Sequence, residues 1–192
     1  MIAKTKTNTH RKTAVIVGVL MLVAYSVIGS GNPEAKVLGM LLEAISGIAV
    51  IAIAFLMFPI LKPYNKNASF LYLVLRVIEG GLLVITGILF LSNKSSIMEI
   101  YDGIHAGHGY VFGIAALIFN CLLYQSKLIP RWLSVFGIIA TILLILVNLL
   151  EATGIVSELM ILKFPIFLNE IVLALWLIAK GFNISATASK TN

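Results

Sequence analysis

Six apolar runs, each close to the length a helix needs to cross a bilayer, occupy most of this 192-residue chain. They fall at 13–29, 37–61, 69–91, 103–124, 132–150 and 159–178. About 20 helical residues cover the roughly 30 Å of hydrocarbon, so each run is read as one span. The first is slightly short and the second slightly long, differences that tilt and local thinning absorb. With 60% hydrophobic and only 11% charged residues, the chain has too little polar surface to coat a soluble domain, whereas a bilayer requires none. The expected fold class is all-α: a polytopic membrane protein with six transmembrane helices in one bundle.

Gly31, Asn32 and Pro33, the stretch 63–67, the stretch 93–96, Pro130 and Gly154 mark the breaks between spans. Ten of the 14 basic residues lie on one side of this topology: Lys4, Lys6, Arg11, Lys12, Lys62, Lys66, Lys127, Arg131, Lys180 and Lys190. Lys36, Lys94 and Lys163 lie on the other side, with Glu34, Glu99, Asp102, Glu151 and Glu158. The positive-inside rule then places both termini in the cytoplasm, and Trp132 and Trp176 fall toward that interface. The organisation expected is a basic tail at 1–12, a six-helix domain at 13–182 and a tail at 183–192, the tails and loops being too short to fold alone.

The N-terminus also mimics a signal peptide, with basic residues ahead of an apolar run that ends in Gly29 and Ser30. Cleavage there would leave five spans, whereas the charge pattern is met by an even number that keeps both basic tails on one side, so the run is read as a retained first helix. Cys121, the single cysteine, has no partner for a disulfide or a metal pair and reads as a small core residue. The formal charge of +6 does not indicate nucleic acid, because the basic residues are scattered over loops without an aromatic-rich recognition module. No nucleophile elbow, HExxH, phosphate-binding glycine loop or paired CxxC is present, and no cofactor is called for.

Four stretches carry a specific likeness: LLEAISGIAVIAIAFLMFPILK (41–62), LRVIEG (75–80), LLYQSKLIPRWLSVFG (122–137) and LNEIVLALWLIAKGF (168–182). Through them the chain resembles the prokaryotic membrane family known as domain of unknown function 4386. The resemblance implies a six-helix protein of a prokaryotic cytoplasmic membrane, with a glutamate in the second span, Arg and Glu in the third, a Pro-Arg-Trp turn before the fifth and Asn-Glu in the sixth. It implies no activity.

Charged groups within the apolar runs are the candidates for function, since a charge near mid-membrane costs about 2.5 kcal/mol or more unless paired or used. At about 1.5 Å rise per residue, Arg76 and Glu79 sit about 10 and 15 Å above the cytoplasmic end of the third span. Glu170 lies about 16 Å below the outer end of the sixth, level with Glu79, and Glu43 about 9 Å below the outer end of the second. Helical spacing places small residues beside them, which marks packing faces: Tyr72, Arg76, Gly80, Leu83 and Gly87; Gly39, Glu43 and Gly47; His105, Gly109, Gly113, Ala116, Asn120 and Tyr124. In one reading Arg76 bridges Glu79 and Glu170, with Asn120 and Asn169 satisfying leftover groups, and the cluster only specifies which helices meet. Three glutamates against one arginine leave two negative charges over, however. The expectation is that Glu79 is the paired carboxylate and that Glu170 or Glu43 exchanges a proton.

Other residues bear on the same question. Pro165, five residues before Glu170, removes a backbone donor and resembles the helix breaks of transporter sites. Asp102, His105 and His108 recur every three residues, where two imidazoles and a carboxylate could share a zinc ion, with Glu43 as a further ligand. Lys127, Arg131 and Trp132 form a basic, aromatic turn suited to anionic headgroups. Three function classes follow: an interaction or structural membrane module, a small-solute transporter coupled to cations or protons through Glu170 and Glu43, and a membrane hydrolase using metal-bound water at Asp102, His105 and His108. The lipid bilayer is the expected partner, with a second copy or another membrane protein able to pack on the glycine-bearing faces.

Overall fold

A computed structural model describes residues 2–32, 34–154 and 159–183. Pro33, Glu158, Lys190 and the tail beyond 183 lie outside the described residues. Six helices follow in order: α1 (Ile2–Ala24), α2 (Lys36–Leu61), α3 (Lys66–Phe90), α4 (Ser95–Ser126), α5 (Arg131–Ala152) and α6 (Met160–Ala179), with a 3-10 helix (Tyr25–Gly29) after α1. All six are long and apolar enough to cross a membrane. Two start well before their predicted spans. α1 starts at Ile2, inside the predicted tail, and α4 starts at Ser95, eight residues before its apolar run, because a helix need not stop where hydrophobicity does.

Short connections make neighbours in sequence neighbours in space. Each helix packs on the next, and α6 closes the ring against α1. Arg11 near the start of the chain bonds carbonyls at the end of α6, and the Asn183 amide donates to the Leu128 carbonyl at 2.8 Å, so both described ends and the α4–α5 turn share one end of the bundle. That end is called the terminal end below, and the other the far end. At the far end Lys36 ties to the Ser92 carbonyl and the Asn93 amide oxygen, each at 2.7 Å, and Lys163 pairs with Glu151 at 2.6 Å.

Local chemistry sets the helix limits. Asn65 caps α3 by accepting the Ala68 N–H at 3.0 Å. Lys127 ends α4 in the left-handed region at φ 55°, and Gly181 follows α6 at φ 74°. Pro165 does not break α6, which runs continuously from Met160 to Ala179; at the sixth position it costs one intrahelical bond, the one to the carbonyl of the exposed Ile161.

The buried apolar core is concentrated toward the terminal end, around Met57, Leu61, Tyr72, Phe119, Leu133 and Leu177. Large apolar side chains cover the outside, among them Ile48, Phe55, Phe70 and Ile139, each about 60% exposed. That surface suits lipid rather than water. Inside, glycines set the helix spacing. A Cβ on Gly80 of α3 would meet the Gly47 carbonyl of α2 at 2.5 Å, and one on Gly18 of α1 would meet the Ala174 carbonyl of α6 at 2.6 Å.

Candidate functional site in the bundle interior

Arg76 and Glu79 are one turn apart on α3 and both are buried. Arg76 Nη1 donates to both carboxylate oxygens of Glu79, at 2.8 and 2.9 Å. The guanidinium carbon also stands 5.7 Å from the ring centres of Tyr72 and Phe112, which gives the planar cation two aromatic neighbours. Gly80, next on the chain, lets α2 press close at this level.

Glu170 of α6 reaches the same place. Its Oε1 lies 3.9 Å from Arg76 Nη2, an ion pair too long to be a hydrogen bond. The short bond to Glu170 comes instead from Tyr25, whose hydroxyl donates to Oε2 at 2.6 Å. Tyr25 belongs to the 3-10 helix and stacks edge-on against Phe167, ring centres 4.9 Å apart. His108 of α4 completes the group, with Nε2 at 3.8 Å from Glu79 Oε1.

These side chains border a cavity of about 180 Å³ whose remaining wall is largely apolar, including Val50, Ile53, Leu83, Phe112 and Phe167. One guanidinium faces two carboxylates there. A second and larger depression, about 600 Å³, lies toward the far end and is lined by Asp102, His105, Tyr110, Asn148, Glu151 and Lys163. His108 and Phe112 belong to the walls of both.

Several expectations from spacing are corrected. Glu43 is fully buried but is not part of the Arg76 cluster. Its Oε1 accepts from Tyr101 at 3.0 Å and from Ser30 at 3.2 Å, while Oε2 has no hydrogen-bond partner among the described residues. Asn120 and Asn169 do not satisfy the Arg76 group either. Their amides donate to the Ala116 carbonyl at 2.9 Å and the Leu133 carbonyl at 3.0 Å, and their side-chain oxygens crowd Gly137, so they form a separate polar layer where α4, α5 and α6 meet.

The zinc set is also absent: among the described residues no three of His, Cys, Asp and Glu stand close enough to hold a metal. Asp102 and His105 are exposed, and His108 turns toward Glu79. The rings instead make a ladder along α4, with centre separations of 5.5 Å for Tyr101–His105, 6.0 Å for His105–His108 and 6.5 Å for His108–Phe112. At the terminal end Lys127, Arg131 and Trp132 are all exposed, and the Arg131 guanidinium lies 5.1 Å from the Tyr124 ring centre.

Two participants escaped sequence reasoning. Tyr25 looked like one aromatic in an apolar run, and only the change from α to 3-10 geometry beside Glu170 reveals its role. Arg11 counted toward topology alone, yet it donates to the carbonyls of Leu177, Ile178 and Ala179 at 3.2, 2.9 and 3.1 Å.

Residues 22–181 match the family described as Domain of unknown function (DUF4386), most of the chain's length. The chain belongs to that family. The DUF4386 match takes in Tyr25, Glu43, Arg76, Glu79, His108 and Glu170, while Arg11 precedes it. A curated relative, an uncharacterised protein of Archaeoglobus fulgidus, is 27% identical over 140 residues, covering 72% of this chain and 81% of the relative. No solved structure matches this DUF4386 protein.

Proposed function

We propose that this chain is a carrier of the prokaryotic cytoplasmic membrane, multi-pass with both termini in the cytoplasm, that binds a small solute in the bundle interior and couples its passage to protons or cations through Glu170. One observation carries the reading. The cavity of about 180 Å³ holds two carboxylates against one guanidinium, and that guanidinium is already committed to Glu79. Glu170 is left with a tyrosine hydroxyl and a cation 3.9 Å away, so the site is one positive charge short. A proton or a small cation supplies that charge.

Helix ordering alone accounts for the cluster less well. The tight ion pair, Arg76 with Glu79, lies within a single helix, and its charged contacts to other helices, Glu170 at 3.9 Å and His108 at 3.8 Å, are longer. Positive charge at the terminal end supports the orientation, and the exposed Lys127, Arg131 and Trp132 there suit contact with anionic headgroups.

Reconstitution into liposomes tests the proposal. Solute or cation flux that depends on a pH difference, present in wild type and lost in Glu170→Gln, is the expected result. Equal flux in Glu170→Gln overturns the coupling role. Labelling of single cysteines introduced at Lys66 and Lys94 in a Cys121→Ser background reads the orientation, with Lys94 the one expected to react from outside.

A further inference from the structure

We propose that His108 is the proton gate of the interior site, taking protons from the far-end depression and delivering them to Glu79. The inference rests on the interior cavity being a charge-coupled site, and it adds the route and the residue that proton binding switches. Three observations carry it. His108 is in the wall of both cavities, with its side chain 19% exposed, so one group touches both the far-end depression and the buried centre. Its Nε2 lies 3.8 Å from Glu79 Oε1, about 1 Å longer than a hydrogen bond, so it is positioned on the acceptor without being locked to it. His105, exposed in the depression with its ring centre 6.0 Å from that of His108, supplies a second imidazole on the approach.

The titratable and charged groups around His108 come from every side of the bundle. Arg76 and Glu79 face it from α3 and Glu170 from α6, with Tyr25 of the 3-10 helix on the same cavity. Asp102 and His105 of α4, Glu151 of α5 and Lys163 of α6 line the depression. Glu43 of α2 enters only through Tyr101, which stacks on His105 and donates to the Glu43 carboxylate.

The transfer balances as follows. A proton from the depression binds Nδ1 of neutral His108 to give the imidazolium, and Nε2 then passes its own proton to Oε1 of Glu79. His108 is neutral again with its proton on Nδ1, and a flip of the ring, which turns that N–H toward Glu79 and the free nitrogen toward the depression, resets it. Glu79 becomes a neutral acid, and the cavity's charge rises from one net negative to zero. Among the described residues Arg76 then has Glu170 as its one charged partner, 3.9 Å away on α6. Protonation at one atom therefore moves the ion pair from within α3 to between α3 and α6, which gives the ring of helices two arrangements.

Imidazole nitrogen NMR on the full chain in lipid nanodiscs tests this without requiring transport, because the sequence has only three histidines. The expected result is that the His108 resonances move with pH and that Glu79→Gln alters the curve while leaving that of His10 unchanged. A His108 curve that does not respond to Glu79→Gln overturns the proposal. In proteoliposomes, His108→Gln is expected to slow proton entry by about 100-fold while melting like wild type. Entry at the wild-type rate in His108→Gln, with loss in Glu170→Gln, discards the His108 route and leaves the interior site standing. If wild type conducts no more than protein-free liposomes, the carrier reading fails, and the NMR comparison alone decides whether His108 is coupled to Glu79.

Discussion

Gly47 of α2 and Gly80 of α3 meet backbone to backbone, each placing its carbonyl oxygen where a side chain on the other would begin. The contact lies one residue beyond Glu79, so it sets how closely α2 can approach at the depth of the charged cluster. Gly47→Ala forces a Cβ against backbone rather than against a flexible side chain. A loss of about 1–3 kcal/mol is expected for Gly47→Ala or Gly80→Ala, read as a lower melting temperature in detergent. Gly81→Ala is the control, since a Cβ there meets nothing within 4 Å, and it should melt at or slightly above wild type.

Glu79 and Glu170 should respond in opposite ways to neutralisation. Glu79→Gln leaves the buried Arg76 with only the distant Glu170, a loss of about 3–5 kcal/mol by analogy with other broken buried pairs. Glu170→Gln keeps an acceptor for Tyr25 and leaves the Arg76–Glu79 pair intact. It should match wild type or exceed it, as expected of a charge retained for function. Thermal unfolding of the three proteins in one detergent at one pH is the measurement. Equal and large losses in both variants would return the cluster to a helix-ordering role.

Tyr25→Phe keeps the ring against Phe167 but removes the 2.6 Å bond to Glu170. A loss of about 1.5–3 kcal/mol is expected, typical of a hydrogen bond to a charged group. In Tyr25→Phe/Glu170→Gln the two effects should not add, because both residues act through one bond. A double-mutant cycle on melting temperature detects the difference.

Arg11 closes the ring of helices at the terminal end by gripping the last carbonyls of α6. Arg11→Ala should cost about 1–2 kcal/mol, combining lost hydrogen bonds with a lost cation at a helix C-terminus. Arg11→Lys should recover only part, since an ammonium lacks the planar fork that spans several acceptors. Hydrogen exchange in the last turn of α6 should accelerate in Arg11→Ala and remain unchanged in the middle of α3.

Hydropathy and composition alone determined the all-α fold class and the six helices long and apolar enough to cross a membrane, because these depend on summed local properties that no tertiary contact reverses. The burial of Arg76, Glu79 and Glu43 was equally legible, since such groups in long apolar runs have nowhere to go but inward. Spacing along α3 even gave the Arg76–Glu79 pair, an interaction closed within one turn. Which helices bring partners to that pair was decided only in three dimensions. Glu43 and Glu170 are both carboxylates inside apolar helices, yet one meets Tyr101 and Ser30 while the other meets Tyr25 and Arg76. The Asp102, His105 and His108 spacing suggested a metal site, and the rotation of α4 instead turned His108 to Glu79 and left His105 outside. Contacts across helices depend on each helix's rotation and depth. Those are set by close approaches such as Gly47–Gly80 and by the 3-10 turn at Tyr25, features whose consequences appear only once the helices pack.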